Sequence, residues 1–523
     1  MFFLFFAKKN GIAYLCYVNF LPTSKKEMDA LGWEQADVIL FMGDAYVDHP
    51  SFGVAVIARV LEAKGYKVAV VPQPNWRDDL RDFRKLGRPR LFFGVGAGAM
   101  DSMVNHYTAA KRLRSDDAFT PEGRAGARPD RATLVYTKIL KQLWPDVPVV
   151  IGGVEASLRR ERHYDYWDNC MKPSILEESG ADLLVAGMGE KPMIQVAEAC
   201  ENGTLAQLPR ILFGPVLTTE EMDWIYDLPF TRLPHPRYKG KRIPAYDMIK
   251  FSITTHRGCF GGCNFCAITA HQGKQIQSRS EASILREVEA LTHHPEWKGT
   301  ISDLGAPTAN MYRMGGRDRE LCAKCKRISC LYPNRCRNLN YDHTPLLQLY
   351  EKVLTVPGVK HVFIGSGIRY DLFLDENGFL DATCRRYFEE LVTKHTSGRL
   401  KVAPEHTEDK VLDAMGKPSF KLFVRLEKEF QRLIREKGLK YEIIPYFISA
   451  HPGCTMQDME ALSKHPALRG VRTEQVQDFT PTPMTISTEM FATGRDPRTG
   501  KKVFVERDIA KKQRQKSFFF KKR

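Results

Sequence analysis

Residues 251–269 read FSITTHRGCFGGCNFCAIT, and this stretch decides the fold of the second half of the chain. It opens on a short run typical of a β-strand and continues into a glycine-rich loop. The loop holds three closely spaced cysteines: Cys259, Cys263 and Cys266. After it, Ser280 can cap a helix. Apolar residues repeat along that helix at helical spacing: Ile284, Val288 and Leu291. The cysteines are therefore predicted to lie on a loop between a strand and a helix.

Three thiolates at this spacing can hold three irons of a cubane iron–sulfur cluster, which leaves the fourth iron without a protein ligand. An open coordination position is what reaction chemistry requires, whereas closed metal sites are structural. The alternative is a zinc knuckle whose fourth ligand would be His256 or His271. Zinc sites usually pair one Cys-x2-Cys with a second such pair, so the spacing favours an iron–sulfur cluster.

The pattern Cys-x3-Cys-x2-Cys, with Phe265 before the last cysteine, resembles the signature of the radical S-adenosylmethionine (SAM) superfamily. The resemblance implies that Cys259, Cys263 and Cys266 bind a [4Fe-4S] cluster and that SAM chelates the open iron. An electron from a flavodoxin- or ferredoxin-like donor would then cleave SAM to a 5'-deoxyadenosyl radical. The resemblance thus implies an enzyme, and it leaves the substrate unnamed.

Short strand-like runs recur between helical stretches downstream of the cysteine loop. They occupy residues 300–304, 361–365, 400–403, 441–449 and 476–479. Alternation of this kind indicates β/α units around a parallel sheet. It resembles the partial (β/α)6 barrel of the superfamily, whose chemistry lies at the carboxyl ends of the strands.

Four residues near these strand ends are predicted to contact SAM: Gly305, Arg369, Asp371 and Glu405. Gly305 stands where the superfamily carries Gly-Gly-Glu, a turn that receives the SAM amino group, and only the glycine matches. Arg369 suits the SAM carboxylate because its planar fork gives two charge-assisted hydrogen bonds. The alternative is that Arg369, Asp371 and Glu405 form an ordinary buried ion-pair network.

Several segments together resemble a narrower family, the uncharacterised YgiQ-type radical SAM proteins. They are residues 20–28, 43–53, 402–407, 415–418 and 479–484. The resemblance runs from about residue 20 to the C-terminus and covers nearly the whole chain. The resemblance implies how the reaction is initiated, but it does not identify the substrate.

The N-terminal region predicts a doubly wound, Rossmann-like α/β domain. Buried-type strands alternate with helices, at residues 37–43, 67–71, 91–95, 149–151 and 182–186. This pattern resembles the cobalamin-binding domain that precedes many radical SAM cores. The cobalt-ligating Asp-x-His-x2-Gly signature is absent, because Asp48 directly precedes His49. We therefore expect a cobalamin-type fold without cobalamin, in which His49 is a locally hydrogen-bonded turn residue. The alternative is that His49 ligates cobalt.

A second set of cysteines lies within fifteen residues: Cys322, Cys325, Cys330 and Cys336. Four thiolates can close tetrahedrally around one zinc or hold an auxiliary iron–sulfur cluster. Residues 313–337 carry a net charge of +6, which would stabilise deprotonated thiols. The same cations could grip an anionic substrate such as RNA. The set is predicted to form an insert of about residues 313–340 between barrel elements.

The formal charge of +16 is local, since residues 501–523 carry +8 and the segment above carries +6. A diffuse polyelectrolyte is thereby excluded. We expect the basic C-terminal stretch to be a packed or solvated tail, with binding to nucleic acid or to an acidic membrane surface as the alternative. No run reaches the roughly 20 apolar residues of a membrane span. The apolar start lacks the features of a signal peptide, so a cytoplasmic protein is expected.

The predicted domains are an apolar leader (1–19), a Rossmann-like domain (20–245), a radical SAM core (246–500) and a basic tail (501–523). The predicted function is a radical SAM enzyme acting on an unknown substrate. One alternative is a radical methyl or methylthio transferase that modifies RNA or protein. An alternative of another class is a non-catalytic zinc-binding module for nucleic acid, which would rest on the basic four-cysteine segment alone.

Overall fold

The computed structural model describes residues 3–9 and 12–520, with side chains from residue 19 onward. The chain divides into two compact units. The first reaches Pro215 and adds Trp224–Lys250, and the second combines Val216–Asp223 with the chain from Phe251 onward. The apolar leader (1–19) is predicted to pack on the first domain, and this prediction concerns side chains that lie outside the described residues.

The first unit is built around a parallel sheet. Its strands are β1 (Phe3–Lys9), β2 (Ile12–Val18), β3 (Val38–Met42), β4 (Val68–Pro72), β5 (Phe92–Gly96), β6 (Val149–Gly152), β7 (His163–Asp165), β8 (Cys170–Lys172), β9 (Leu183–Ala186) and β10 (Ile211–Phe213). Six of them form one parallel sheet in the order β10-β9-β6-β5-β3-β4. Strand β3 is buried along its whole length, as expected for a strand covered on both faces.

Helices connect these strands, which gives the doubly wound arrangement. They are α1 (Lys25–Ala30), α2 (Gly53–Ala63), α3 (Arg81–Arg84), α4 (Ser102–His106), α5 (Ala132–Leu143), α6 (Gly153–Leu158), α7 (Ile175–Ser179) and α8 (Glu190–Glu201). Two further helices follow β10: α9 (Thr219–Tyr226), which begins in the second unit and ends in the first, and α10 (Pro244–Ile249). The chain passes from β3 to β4 on one side and then to β5 on the other side of β3. Such a reversal of strand order is where ligands bind in open α/β sheets.

The second unit contains shorter strands. They are β11 (Ser252–Thr254), β12 (His256–Arg257), β13 (Gln277–Ser278), β14 (Thr300–Ile301), β15 (Asp303–Gly305), β16 (Gly315–Gly316), β17 (Leu339–Asn340), β18 (His361–Val362), β19 (Leu374–Asp375), β20 (Gly378–Phe379), β21 (Arg399–Glu405), β22 (Glu442–Ser449) and β23 (Gln475–Asp478). Parallel pairing runs through them in chain order, from β11 to β15, from β14 to β18, and from β21 through β22 to β23. A parallel bridge between Ile368 and Val402 links the middle of this series. Six successive parallel segments therefore form the predicted partial barrel.

Helices follow most of these strands. They are α11 (Ile268–Gln272), α12 (Glu281–Thr292), α13 (Arg319–Ala323), α14 (Thr344–Thr355), α15 (Ala382–Lys394), α16 (Asp409–Met415), α17 (Phe420–Glu436), α18 (Met456–Ser463), α19 (Ile486–Thr493) and α20 (Ile509–Ser517). Ser280 caps α12 as predicted, because its side chain accepts a hydrogen bond from the Ser283 amide. Ile284, Val288 and Leu291 lie in the core of the unit. The predicted fold class is confirmed.

The basic C-terminal stretch packs on the second unit as far as residue 520. In α20 the side chains of Lys512 and Gln515 are buried. Phe518 and Phe519 pack against the core, while Phe520 remains exposed. None of the described helices is long and apolar enough to cross a membrane.

Candidate active site

The loop with the first three cysteines lies between β12 and α11. Cys259 is buried, and Cys263 and Cys266 are partly buried. The backbone at Gly262 has a positive φ of +60°, and a Cβ there would lie 2.5 Å from the carbonyl oxygen of Ile328. Only glycine fits this position without displacing backbone. The tight path of the loop is therefore set by close contact with another segment of the chain.

Burial raises the pKa of the Cys259 thiol and raises the pKa of Cys266 to about 12. Cys263 adds to both shifts because the three sulfurs lie within electrostatic reach of one another. Closely grouped thiols that burial keeps neutral are a donor set that a strongly charged metal group would ionise. The residues present therefore fit an iron–sulfur cluster.

The geometry does not support a zinc knuckle that uses His256. The His256 Nδ1 atom lies 2.9 Å from the Thr255 hydroxyl, and Nε2 lies 3.1 Å from the Thr308 carbonyl oxygen. Burial lowers the pKa of His256 to about 3. Among the described residues, no three His, Cys, Asp or Glu side chains are gathered tightly enough for a single metal ion. His256 is therefore a satisfied core residue.

Arg369 contacts the cysteine loop directly. Its Nη1 atom donates to the sulfur of Cys263 at 3.0 Å, while Nε and Nη2 donate to the two carboxylate oxygens of Asp371 at 2.9 and 2.5 Å. Both side chains are buried. Burial alone would raise the pKa of Asp371, but the adjacent Arg369 guanidinium holds it below its ordinary value. The two guanidinium nitrogens of Arg369 that were predicted to bind the SAM carboxylate thus form hydrogen bonds with the Asp371 carboxylate instead.

Glu405 ends β21 in the left-handed region, with a φ of +69°. Its carboxylate is buried, which raises its pKa, and the Lys417 Nζ atom lies 3.6 Å away. Glu405 also acts electrostatically on Cys266. The structure therefore brings Glu405, Arg369 and Asp371 to the same strand edge as the cysteine loop.

Gly305 ends β15, and a Cβ there would lie 2.9 Å from the Asp303 carboxylate. Asp303 accepts hydrogen bonds from the amides of Gly365 and Ser366 at 2.9 and 3.1 Å, and it also accepts one from the Ser366 hydroxyl. Burial raises the pKa of Asp303. Its carboxylate therefore holds the turn after β18, a role that the sequence did not reveal.

Sequence reasoning also missed Asn310 and Thr308. The Asn310 amide bonds both the backbone N–H and the carbonyl of Arg369, at 2.8 and 2.9 Å. The Thr308 hydroxyl lies 3.3 Å from the sulfur of Cys259. Both residues follow β15 in an irregular stretch, where no local pattern marks them.

The second set of cysteines is only partly brought together. Burial raises the pKa of Cys330, and Cys336 and Cys322 contribute to the shift as neighbours. Cys325 is exposed. The four sulfurs do not form a single-ion geometry in the part of the chain that the structure describes. The metal site at these cysteines stays a prediction.

His49 is buried in the first unit, where its Nδ1 accepts a hydrogen bond from the Ser51 amide at 3.1 Å. Asp48 beside it forms a buried ion pair with Arg59.

A cavity of about 490 Å³ lies in the same unit, lined by Trp76, His106 and other residues from the loops that follow β4 and β5.

Comparison with known proteins gives the family. A family described as Radical SAM N-terminal matches residues 20–214 and 213–252, and a domain of unknown function, DUF3362, matches residues 474–521. A UPF0313 protein from Porphyromonas gingivalis is 52% identical over 96% of this chain and 90% of its own length. A UPF0313 protein from Bacteroides thetaiotaomicron is 51% identical over 96% and 94% of the two chains. The chain belongs to the UPF0313 family.

Two solved structures share the fold of this UPF0313 protein. Both are of TsrM from Kitasatospora setae, a radical SAM methyltransferase. The form with tryptophan substrate and a SAM analogue has a TM-score of 0.52 at 16% identity, over 87% of this chain and 75% of TsrM. The form with cobalamin and a [4Fe-4S] cluster has a TM-score of 0.51 at 18% identity, over 92% and 85% of the two chains. Likeness at this identity shows the fold.

The UPF0313 protein is a radical SAM enzyme, and the predicted use of SAM and a [4Fe-4S] cluster is confirmed at the level of the family. The predicted resemblance to an uncharacterised radical SAM family is likewise confirmed. Such an enzyme needs a substrate and an electron donor. The non-catalytic zinc-binding module is therefore wrong as the function of the whole chain.

Proposed function

We propose that Cys259, Cys263 and Cys266 hold the [4Fe-4S] cluster of this enzyme and that SAM binds beside it at the carboxyl edge of the parallel strands. The observation that supports this most is the hydrogen bond from the buried Arg369 side chain to the sulfur of the partly buried Cys263. It places a permanent cation against a thiol that metal binding would ionise. When bound, the cluster and SAM supply reductive cleavage of SAM to methionine and a 5'-deoxyadenosyl radical that abstracts hydrogen from the substrate.

The residues around the loop have separable roles in this proposal. Arg369 offsets the negative charge of the thiolates, and Asp371 holds the guanidinium in place through two hydrogen bonds. Gly305 ends β15 at the strand edge where we propose that SAM binds, and the missing side chain leaves room for the Asp303 carboxylate and the Ser366 side chain. Glu405 and Lys417 offer a hydrogen-bond acceptor and a cation to the ribose and carboxylate of SAM.

Anaerobic reconstitution tests the site. The wild type should bind about four irons at the loop and form 5'-deoxyadenosine with SAM and a reductant. The C259A/C263A/C266A variant should lose those irons and all product. Cys170→Ala, at an exposed cysteine in the first unit, is the matched control and should behave as wild type. Full iron content and product in the triple variant would contradict the proposal.

A second candidate concerns the substrate, which we propose to be an anionic macromolecule such as RNA that receives a methyl or methylthio group. The exposed cations of the four-cysteine segment favour it, among them Arg317, Arg319 and Lys324. Each phosphate contact contributes about one to the slope of log affinity against log salt. R317Q/R319Q should therefore reduce the slope for RNA binding by about two, whereas R386Q/K394Q on α15 should not change it.

For the remaining cofactors we propose a metal at the four-cysteine segment, zinc or an auxiliary iron–sulfur cluster, and no cobalamin bound through His49. The local hydrogen bond of His49 and the absent ligand spacing support the second part. Cobalt analysis after growth with hydroxocobalamin tests it, and one cobalt per chain that His49→Gln removes would contradict it. We further propose that the electron donor is a flavodoxin- or ferredoxin-like protein. The proposed compartment is the cytoplasm, since exposed thiols and iron–sulfur clusters persist in reducing compartments.

A further inference from the structure

The cavity of about 490 Å³ in the first unit lies among the loops that follow β4 and β5. Trp76 and Arg77 line it from the chain after β4, while His106 and Arg114 line it from the chain after β5. Strand β3 lies between these two strands, and the strand order reverses there. Ligands of open α/β sheets bind at such a reversal, and the volume is within the range of small-molecule sites.

Residues 107–131 supply most of the cavity wall, and buried charges hold them in place. All of these residues are described, and they form isolated β-bridges and a short 3₁₀ turn. Arg128 is 1% exposed, forms ion pairs with Asp44 and Asp117, and donates to the Ala97 carbonyl at 3.0 Å. Long irregular loops in compact domains are usually functional. The wall is therefore preformed by its own ion pairs.

Asp130 orients two aromatic side chains at the cavity. Its Oδ1 atom lies 2.8 Å from Nδ1 of His106, and its Oδ2 atom accepts from the Tyr107 hydroxyl at 2.7 Å. An ionised carboxylate only accepts hydrogen bonds, so Nδ1 of His106 carries the hydrogen. The neutral imidazole then presents a lone pair at Nε2, which can accept a hydrogen bond from a ligand.

Two buried ring nitrogens of the lining residues have no hydrogen-bond partner among the described residues. They are Nε2 of His106 and Nε1 of Trp76. The His106 side chain is 7% exposed. The histidine nitrogen is an acceptor, whereas an indole N–H is a donor only. Buried polar atoms nearly always have partners, so these two are expected to be satisfied by a bound molecule that offers both a donor and an acceptor.

Two exposed cations line the same cavity. The Arg77 guanidinium lies 4.1 Å from the centre of the Trp76 ring, and its Nη1 atom donates to the Gly126 carbonyl at 2.9 Å. Arg77 and Arg114 are exposed, and neither forms an ion pair with another described residue. A planar guanidinium stacks on heteroaromatic rings and binds phosphate. The lining also includes the exposed carboxylate of Asp116, which can accept from the amino group of a base.

We propose that this cavity binds a free mononucleotide. Arg77 stacks on the base, and Arg114 binds the phosphate. His106 Nε2 accepts a hydrogen bond from a ribose hydroxyl, and Trp76 Nε1 donates to an oxygen or ring nitrogen of the nucleotide. A mononucleotide combines the planar ring, the donor, the acceptors and the anionic group that match this lining. The site includes none of the residues named in the proposed function, so it is tested independently.

Isothermal titration calorimetry of the full-length protein with AMP, GMP, CMP and UMP tests the site. At least one of them should bind once per chain. His106→Phe and Trp76→Phe keep an aromatic ring and remove the ring nitrogen, so each should weaken binding by about five-fold or more. Arg114→Gln should weaken the nucleotide by about ten-fold and leave the corresponding nucleoside unchanged, because the nucleoside lacks phosphate. Arg77→Gln should weaken both, because it removes the stacking partner of the base.

The matched controls are Trp224→Phe and Arg84→Gln, at exposed side chains of the first unit, and both should bind as the wild type does. A wild type that binds none of the four nucleotides at millimolar concentration would overturn the proposal, as would binding of a short RNA without binding of any mononucleotide. Unchanged affinity in R114Q would also overturn it. That result is decisive whether or not H106F folds, because Arg114 is exposed and its replacement leaves the fold intact.

Discussion

Arg369 and Cys263 lie 106 residues apart in the chain, and the Arg369 Nη1 atom lies 3.0 Å from the Cys263 sulfur. The other two nitrogens of the guanidinium fork are held by Asp371. A cation fixed in this way stabilises negative charge on the sulfur, and burial of Arg369 strengthens the effect because it lowers the local dielectric constant.

Removing this cation should lower the reduction potential of the cluster. The R369Q/D371N variant loses a charge-assisted hydrogen bond worth about 1.5 kcal/mol, which corresponds to about 60 mV for a one-electron couple. A redox titration followed by electron paramagnetic resonance measures the shift. D371N alone leaves Arg369 uncompensated and should raise the potential. Equal potentials in the wild type and both variants would show that Arg369 has no electrostatic role.

Gly262→Ala should destabilise the protein more than Gly494→Ala. Both residues have positive φ, +60° and +68°, so each substitution introduces left-handed strain of about 1 kcal/mol. Only Gly262 also lies against backbone, since a Cβ at Gly494 meets no atom within 4 Å. The unfolding temperature and the iron content per chain should both be lower for G262A than for the control variant. Identical unfolding temperatures would mean that the segment at residues 328–329 yields freely.

Acid should destabilise the second unit in part through His343. Burial lowers the pKa of His343 to about 4, whereas the unfolded chain has the ordinary value of 6.5. The unfolded state therefore binds the proton more readily, and stability present above pH 6.5 is lost as pH falls toward 4. The loss approaches about 1.4 kcal/mol per pH unit within this window. Chemical unfolding of the cluster-free chain at pH 5 and pH 7 should show a weaker pH dependence for His343→Gln.

The C-terminal helix should contribute to folding through Gln515. Its side-chain oxygen accepts from the Ala450 amide at 2.9 Å, and the residue is fully buried. Gln515→Ala leaves that amide unsatisfied at a cost of about 1–3 kcal/mol. Arg514→Ala, at the adjacent exposed position, should stay within about 0.5 kcal/mol of the wild type. The unfolding temperatures of both variants measure the effect. Equal unfolding temperatures would show that the C-terminal stretch behaves as a solvated tail and does not contribute to stability.

Local patterns were sufficient for much of the fold. The strands after residue 251, the Ser280 cap and the alternation in the first unit were all predicted, because strand and helix periodicity depends on neighbouring residues. The cysteine spacing pointed to the chemistry for the same reason. Arg369 and Asp371 were predicted as SAM contacts, yet their mutual pairing and the contact with Cys263 depend on side-chain geometry that no spacing reports.

The amino-acid sequence alone indicated the kind of chemistry this protein performs, since three cysteines within eight residues can supply three cluster ligands from one loop. Only the tertiary structure decided what surrounds that set. The Ser329 hydroxyl donates to the Gly261 carbonyl, and the Ser366 amide donates to the Asp303 carboxylate. Arg369 donates to the sulfur of Cys263. Each of these hydrogen bonds joins residues that are 60 to 110 positions apart in the chain. Contacts of that separation arise from the packing of the barrel, and no local pattern of residues encodes them.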